Sequence, residues 1–266
     1  MTNRLDGKCA IIVGAGQTPG ATIGNGRAMA VLFAREGAEV MCVDAHLDRA
    51  QETVAGIEAE GGRAFAFEAD VSTVAGCEAL VAEGKARMGR IDVLVNNVGI
   101  GAGDAPPHVI SEAVWDRIMT VNLKSAVMTT KAALNVMREQ GSGVILSISS
   151  LAAWAGHDKI AYEVSKAGMI RHIQAVAIGN AKYGIRANVI LPGLMDTPMA
   201  IVGISAAKGM TQEDLRALRN AKVPLGQMGT GWDTAYAALF LCSDEAKFVT
   251  GVALPVDGGA ACKVAG

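Results

Sequence analysis

Short apolar runs alternate with alanine-rich stretches of helical period from the first residues to about Ile190. This alternation is typical of repeated βα units whose strands pair in parallel, because each crossover between parallel strands needs a helix. It predicts strands near residues 8–13, 39–43, 64–68, 91–95, 143–148, 185–190 and 252–256. Helices are predicted to begin near Gly24, His46, Val74, Ser111, Lys159, Thr211 and Trp232. We therefore expect an α/β fold in one domain over residues 1–266, with a parallel sheet of about seven strands.

The composition narrows the classes of partner. Hydrophobic residues make up 51% of the chain and aromatic residues only 4%, as expected for aliphatic strands buried beneath helices. A net charge of −2 gives no electrostatic reason to expect nucleic acid or an anionic membrane as a partner. The five cysteines form no C-x-x-C pair, and we predict neither a disulfide framework nor a metal site. Without a signal-like start or a membrane-length apolar run, we expect a cytoplasmic protein.

Only residues 191–231 break the alternation, with several prolines and glycines. Long ordered loops in compact domains tend to form lids or binding loops. We predict that this segment is an insertion that covers the substrate.

A glycine-rich turn follows the first predicted strand and runs into a helix. Glycine lets a phosphate approach backbone N–H groups at a helix N-terminus, where the partial charge is positive. Glycine-rich turns also serve merely to reverse a chain, but the position directly after the first strand favours a dinucleotide site. The fold predicted is therefore a Rossmann-type doubly wound parallel sheet. The predicted contacts in this turn are Gly14, Gly16, Gly24, Asn25 and Gly26.

Asp44 ends the second predicted strand. A carboxylate there accepts hydrogen bonds from the ribose hydroxyls of adenosine and repels a 2′-phosphate, which favours NAD over NADP as cofactor. Asp44 also suits a cap for the helix near His46, and the two interpretations are compatible.

Tyr162 and Lys166 are four residues apart at the start of a predicted helix, which places both on one face. A neighbouring cation and a positive nicotinamide ring stabilise a phenolate, so we predict a lowered pKa for Tyr162. Tyr162 would then remove a hydroxyl proton, or donate it to a carbonyl oxygen in reverse. Such a pair also occurs on ordinary helix surfaces, so the interpretation needs further support.

Ser149 supplies that support, because it follows the strand over 143–148 and precedes Tyr162 by thirteen residues. Open α/β sheets bind ligands at the carboxyl ends of their strands, so its hydroxyl is predicted to bind the reacting oxygen. Ser147 is expected inside the strand, and Ser150 is expected only to cap or turn.

Together these motifs resemble the short-chain dehydrogenase/reductase family over nearly the whole chain. The resemblance implies that Asn122, Ser149, Tyr162 and Lys166 are catalytic, with Asn122 helping to hold a water that relays protons through Lys166. It also implies a homotetramer. Further cofactor contacts implied by it are Asp70, Val71, Asn97, Val98, Gly99, Tyr162, Lys166, Pro192, Gly193 and Thr197.

The chain departs from the family pattern in the glycine turn. Gly14 and Gly24 are ten residues apart, where the family usually has four, so six residues are extra. Asn25 replaces an apolar residue and Val98 replaces an alanine. A long glycine loop is also found in enoyl-thioester reductases, but those usually place six residues, not three, between tyrosine and lysine.

The sequence thus predicts an NAD-dependent oxidoreductase that interconverts a secondary alcohol and a ketone. The alternatives are an NADPH-dependent 3-oxoacyl-thioester reductase and a dinucleotide-binding sensor without turnover. A partly apolar small-molecule substrate is suggested by residues expected near the pocket, although such residues are also common in ordinary packing. These residues are Trp154, His157, Met195, Met199 and Met210.

Overall fold

The strands of the molecule begin and end close to the predicted positions. The computed structural model describes residues 3–156 and 158–263, so His157 lies outside the described residues. In the part of the chain that the structure describes, the strands are β1 (Cys9–Val13), β2 (Glu39–Asp44), β3 (Arg63–Glu68), β4 (Val93–Asn96), β5 (Gly143–Ile148), β6 (Ile185–Pro192), β7 (Met195–Asp196), β8 (Gly229–Thr230) and β9 (Ala253–Val256).

The helices confirm every predicted start to within one residue. They are α1 (Asn25–Arg35), α2 (Leu47–Ala59), α3 (Val74–Met88), α4 (Glu112–Met119), α5 (Ser125–Gln140), α6 (Ile160–Asn180), α7 (Pro198–Lys208), α8 (Gln212–Asn220) and α9 (Gly231–Cys242). Between α4 and α5 the chain makes a π-helical turn over Thr120–Lys124. The sequence pattern predicted neither this turn nor α7.

The sheet has the topology expected of a doubly wound fold. Its seven strands are parallel and follow the order β3-β2-β1-β4-β5-β6-β9. The strand order reverses between β1 and β4, and ligands of open α/β sheets bind outside the carboxyl ends of the strands at such a point. Gly14, Asn97 and Ser149 follow β1, β4 and β5 directly, so the topology brings these predicted site residues to one edge.

Two apolar cores cover the two faces of the sheet. Helices α1, α2 and α9 pack on one face, and α3, α5 and α6 pack on the other. Successive residues of β1 divide between them: Ile12 packs in the first core and Ile11 in the second, and both are fully buried. This burial on both faces explains why the strands are continuous apolar runs.

Residues 191–231 are more regular than the sequence suggested. Strands β7 and β8 pair with each other, and α7 and α8 pack on a small core of Ile201, Leu215, Val223 and Met228. The prediction of a long insertion over residues 191–231 did not include α7. Pro198 occupies the first turn of α7, where a missing N–H costs no hydrogen bond.

None of the helices within 3–156 and 158–263 is long and apolar enough to cross a membrane.

Candidate active site

Two glycines of the turn after β1 approach each other too closely for side chains. A Cβ on Gly26 would lie 1.9 Å from the carbonyl oxygen of Gly14. Gly14 has a φ of +84°, in the left-handed region that favours glycine. Asn97 donates a hydrogen bond from Nδ2 to the same carbonyl at 2.9 Å. The residue after β4 therefore fixes the turn after β1, across the point where the strand order reverses.

Asp44 lies directly against this turn. Its Oδ2 accepts a hydrogen bond from the Gly16 N–H at 3.1 Å, and a Cβ on Gly16 would lie 2.7 Å from that oxygen. Its Oδ1 accepts from the His46 N–H at 3.1 Å; His46 is itself the N-cap residue of α2, so this bond lies before the helix and not in its first turn. Each carboxylate oxygen has a second lone pair, so these bonds leave Asp44 able to accept from a ribose.

The extra residues of the turn form a small closed loop. The Gln17 side chain accepts from the Gly24 N–H at 2.8 Å through Oε1 and donates to the Thr22 carbonyl at 3.3 Å through Nε2. A Cβ on Gly20 would lie 2.8 Å from the Cβ of Pro198, at the start of α7. The insertion thus joins the glycine turn to the segment predicted to cover the substrate.

The turn fits a dinucleotide. Its glycines leave a cradle that side chains would fill, and the N-terminus of α1 has no side-chain cap at Gly24. Asn25 carries a buried Oδ1 for which the described residues supply no hydrogen-bond partner. A cradle, an uncapped helix N-terminus and the Asp44 carboxylate are the features that a pyrophosphate and a ribose require.

Tyr162 and Lys166 share one face of α6, as their spacing predicted. The Lys166 Nζ lies 5.7 Å from the centroid of the Tyr162 ring. The Lys166 side chain is 2% exposed, and its Nζ donates to the carbonyl of Ile148 at 2.9 Å. Burial lowers the pKa of Lys166 from 10.5 to about 8, because desolvation disfavours the charged ammonium.

The predicted lowering of the Tyr162 pKa is wrong for the protein as it stands in the structure. Burial raises the pKa of the phenol, and a hydrogen bond with the Ser150 side chain opposes that rise. Desolvation penalises the phenolate, and the Lys166 ammonium is directed to a backbone carbonyl. The phenol is therefore protonated at neutral pH.

The structure gives the two neighbouring serines different surroundings. Ser149 is 3% exposed, and its Oγ donates to the Lys166 carbonyl at 2.7 Å. Its hydroxyl is thus bonded to the backbone of α6. Ser150, which was expected only to cap or turn, accepts from the Ala152 N–H at 3.1 Å and lies close enough to the Tyr162 side chain to oppose the rise in its pKa. Of the two neighbours, Ser150 is the one beside the phenol.

Asn122 and Gly99 complete the surroundings of Lys166. Asn122 is fully buried in the π-helical turn, and its amide bonds the N–H and the carbonyl of Ile100 at 2.7 and 2.9 Å, and Ser165 Oγ at 3.1 Å. A Cβ on Gly99 would lie 3.0 Å from the Lys166 Nζ. The Asn122 side chain therefore holds the loop after β4, and Gly99 leaves room for the ammonium.

The other predicted cofactor residues also follow the carboxyl ends of strands. Asp70 is exposed after β3, and its Oδ1 accepts from the Ser72 N–H at 2.9 Å. The Ser72 side chain, together with this N–H, lowers the pKa of the carboxyl. Gly193 follows β6 and donates to the Val256 carbonyl at 3.0 Å. The remaining positions lie along the same edge: Val71 after β3, Val98 after β4, Pro192 at the end of β6 and Thr197 before α7.

Asp104 is a site residue that the sequence motifs did not identify. It lies in the loop between β4 and α4, is 6% exposed and accepts from the Tyr162 N–H at 2.8 Å. No spacing rule connects two residues so far apart in the chain, so only the folded structure shows the contact.

Comparisons with known proteins agree with this geometry. A family model described as enoyl-(acyl carrier protein) reductase matches residues 20–261. The 2-(S)-hydroxypropyl-CoM dehydrogenase 3 of Xanthobacter autotrophicus is 35% identical over 97% of this chain and 98% of its own length.

Two solved structures are similarly close. One from Burkholderia xenovorans, assigned to the short-chain dehydrogenases/reductases, is 43% identical, with a TM-score of 0.93 over 98% of this chain and 99% of its own. A 7α-hydroxysteroid dehydrogenase complexed with NADH and 7-oxo glycochenodeoxycholic acid is 34% identical, with a TM-score of 0.86 over 99% of this chain and 98% of its own. Because family model, relatives and structures each span nearly the whole chain, the protein belongs to the short-chain dehydrogenase/reductase family of NAD(P)-dependent oxidoreductases.

Proposed function

We propose that the protein interconverts a secondary alcohol and a ketone with NAD, using Tyr162 as general acid and base. The observation that carries this proposal is the group formed by the half-buried hydroxyl side chains of Ser150 and Tyr162 and the buried Lys166 ammonium at the carboxyl edge of the sheet. There Ser150 lies close enough to the Tyr162 phenol to oppose the rise in its pKa, and the Lys166 Nζ lies 5.7 Å from the ring. When bound, a nicotinamide dinucleotide supplies the hydride exchange.

Ser150 and Tyr162 bind the substrate oxygen, and Tyr162 also transfers the proton. Ser150 and Tyr162 present two hydroxyls at one point, where both can hydrogen-bond the oxygen of the substrate. Because burial raises its pKa, the phenol holds its proton on Oη and is ready to donate it to a carbonyl oxygen. Oxidation of an alcohol needs the phenolate, so that direction is favoured by high pH.

Lys166 and Asn122 act behind the phenol. With a pKa of about 8, Lys166 can pass a proton near neutral pH. Its position beside Gly99 suits contact with the nicotinamide ribose. Because the Asn122 amide is engaged with Ile100 and Ser165, we assign any water held by Asn122 to its main-chain carbonyl.

The preference for NAD rests on Asp44. Its carboxylate lies beside Gly16, where it would repel a 2′-phosphate. Between Gly14 and Gly26 there is no Lys or Arg, and Arg27 pairs with Glu52 at 2.9 Å. The structurally similar 7α-hydroxysteroid dehydrogenase is complexed with NADH.

One observation favours NADPH, the cofactor of the alternative 3-oxoacyl-thioester reductase. A Cβ on Gly16 would lie 2.7 Å from the Cβ of Arg49, so a cation starts close to the predicted ribose site. The proposal therefore requires that Arg49→Ala leave NAD preference intact and that Asp44→Ala reduce it.

The substrate is proposed to be a small molecule of partly apolar character, covered by residues 191–231. Trp154 after β5 and Met199 in α7 support this, since both are large apolar side chains exposed by more than half. Exposed apolar groups beside a polar site are typical of ligand pockets.

We further propose that the chain forms a homotetramer. On the outer face of α5 and α6, His172 has a buried Nε2 for which the described residues supply no partner. Phe248 is fully exposed, and Tyr236 and Phe240 are exposed on α9. Exposed apolar clusters of this kind mark interfaces, and sedimentation velocity should give four times the mass of one chain.

The test is turnover with separate NAD and NADP assays over cyclic, aromatic and aliphatic secondary alcohols, followed by reduced-nicotinamide absorbance. We expect turnover with NAD, loss of turnover in Tyr162→Phe, and retention in the matched control Tyr183→Phe. Turnover of 3-oxoacyl thioesters with NADPH alone would favour the alternative reductase. Binding of NAD without any turnover would favour the sensor.

The two serines provide a second comparison. We expect Ser150→Ala to lower kcat by about 10²-fold or more, as for loss of a group that acts on the reacting oxygen. Ser149→Ala should instead cost about 0.5–1.5 kcal/mol of stability, because the hydrogen bond from Ser149 to the Lys166 carbonyl is lost. The reverse ranking of kcat would return the catalytic role to Ser149.

A further inference from the structure

Helix α6, which carries Tyr162 in its first turn, has no side-chain cap from its N-cap residue; within the helix, Glu163 Oε1 accepts from the Lys159 N–H at 3.1 Å. Lys159 stands at the N-cap position and makes no capping hydrogen bond with its side chain. The first N–H groups of a helix have no partners within the helix, and Ser, Thr, Asp or Asn usually supplies one locally. At this helix the local residue cannot.

The loop between β4 and α4 supplies the missing acceptors from a distance. The Ala161 N–H donates to Asp104 Oδ1 at 3.2 Å, and the Tyr162 N–H donates to Asp104 Oδ2 at 2.8 Å. The Ile160 N–H donates to the Ala105 carbonyl at 3.4 Å. Lys159 Nζ donates to the Asp104 carbonyl at 2.8 Å. Asp104 and its neighbour thus take the place of an N-cap for α6.

Because Asp104 is buried, its carboxylate would be destabilised if no hydrogen-bond donors surrounded it. The side chain is 6% exposed and also accepts from the Ala105 N–H at 2.9 Å. A buried carboxylate is stable only where donors surround it, and the N-terminus of a helix provides both N–H groups and a favourable partial charge. The interaction of Asp104 with the N-terminus of α6 is therefore stronger than that of an exposed capping carboxylate.

The same loop also contacts the ring of Tyr162. A Cβ on Gly101 would lie 3.5 Å from Tyr162 Cδ2, so the chain passes across the ring. Asn122 holds Ile100 through its N–H and its carbonyl, and Arg117 Nη2 donates to the Ala102 carbonyl at 2.5 Å. The loop is thus fixed on the π-helical turn and α4 while it holds Tyr162 by backbone and ring.

We propose that Asp104 is a positioning residue, which sets the place of the Tyr162 phenol by capping α6 from the loop after β4. The inference rests on the proposed function of Tyr162. It predicts that loss of the Asp104 carboxylate lowers kcat through misplacement of the phenol and leaves the distant adenosine site intact. A misplacement of about 1 Å can cost about 100-fold in rate, which sets the scale of the loss.

The experiment compares Asp104→Ala, Asp104→Asn and Asp92→Asn in the full chain. Asp92 is the matched control, because it is 5% exposed and accepts from the Cys9 N–H at 2.9 Å, but at the start of β4 on the opposite edge of the sheet. We expect kcat to fall about 10- to 100-fold in Asp104→Ala, with KM for NAD unchanged. Asp104→Asn keeps one acceptor oxygen and should recover part of kcat, while Asp92→Asn should lose stability without loss of kcat.

Assays are made at a temperature where circular dichroism shows each variant to be folded. Unchanged kcat in folded Asp104→Ala, or an equal fall in Asp92→Asn, overturns the inference. So does a rise in KM for NAD that accounts for the whole loss. Tyr162→Phe is assayed in parallel: if it turns over normally, the proposed function fails.

Amide hydrogen exchange distinguishes failure of the Asp104 inference from failure of the proposed function of Tyr162. Faster exchange at Ala161 and Tyr162 in Asp104→Ala, and not in Asp92→Asn, is expected whatever the substrate. Unchanged exchange there would refute the capping even if Tyr162 proves to be catalytic.

Discussion

Replacement of Lys166 by methionine tests the burial of the ammonium without any substrate or cofactor. In the folded protein the pKa of Lys166 is lowered from 10.5 to about 8, because the side chain is 2% exposed. Each pH unit of such a difference corresponds to about 1.36 kcal/mol. The charged ammonium therefore destabilises the folded state by about 3 kcal/mol. The Lys166→Met substitution removes this destabilisation.

The pH dependence follows from the sign of that pKa change. Below about pH 8 both the folded and the unfolded chain keep the proton, and the folded state bears the full cost. Between about pH 8 and pH 10.5 the folded protein releases the proton while the unfolded chain retains it. The unfolded state then binds more protons, so the free energy of unfolding rises with pH. Above pH 10.5 both are neutral and the cost is gone.

The assay is urea unfolding of the wild type and of Lys166→Met at one protein concentration, from pH 7 to pH 11. Other groups titrate in both proteins, so the quantity to follow is the difference in unfolding free energy between them. We expect the unfolding free energy of the wild type to rise by about 3 kcal/mol relative to that of the variant from pH 7 to pH 11. A difference that stays constant with pH would refute the burial of a charged Lys166.

Three further substitutions probe the cofactor turn and its surroundings. Asp44→Ala should raise KM for NAD about tenfold and narrow the discrimination against NADP in steady-state assays, since a hydrogen bond to a charged group contributes about 1.5–3 kcal/mol. Gly99→Ala places a Cβ 3.0 Å from Lys166 Nζ; it should cost about 1–3 kcal/mol in urea unfolding and lower kcat. Gln17→Ala frees the Gly24 N–H and should weaken NAD binding in calorimetry, with a loss of about 1 kcal/mol of stability.

The sequence predicted the sheet well because its signals are local and repeated. Each strand is an apolar run buried on both faces, and each helix start within the alternation is marked by a change of period. The parallel order then brings the residues after β1, β4 and β5 together, whatever the details of the loops. Strand position alone therefore predicts Gly14 and Ser149 at this edge, whereas Asn97 is implied there only by the family resemblance.

Features that depend on distant contacts could not be predicted in this way. The cap of α6 comes from Asp104, which lies 58 residues before Tyr162, and no local pattern marks it. The π-helical turn that holds Asn122 is a change of backbone spacing inside a continuous helical pattern. The rise in the Tyr162 pKa follows from burial by the assembled fold, whereas sequence spacing registered only the nearby cation.

The serine assignment shows how finely a site residue depends on backbone direction. In extended backbone, successive side chains point to opposite sides, and Ser150 is extended, with φ −164° and ψ 154°. Ser149 and Ser150 leave β5 together, yet Ser149 donates to the Lys166 carbonyl in α6, whereas Ser150 lies beside the Tyr162 phenol and opposes the rise in its pKa. The distances of thirteen and twelve residues to Tyr162 do not show which serine lies beside the phenol. The chain between β5 and α6 is irregular, and its path determines which hydroxyl faces the phenol. Neighbouring serines at the end of a catalytic strand can therefore be assigned only from the side on which each leaves the sheet.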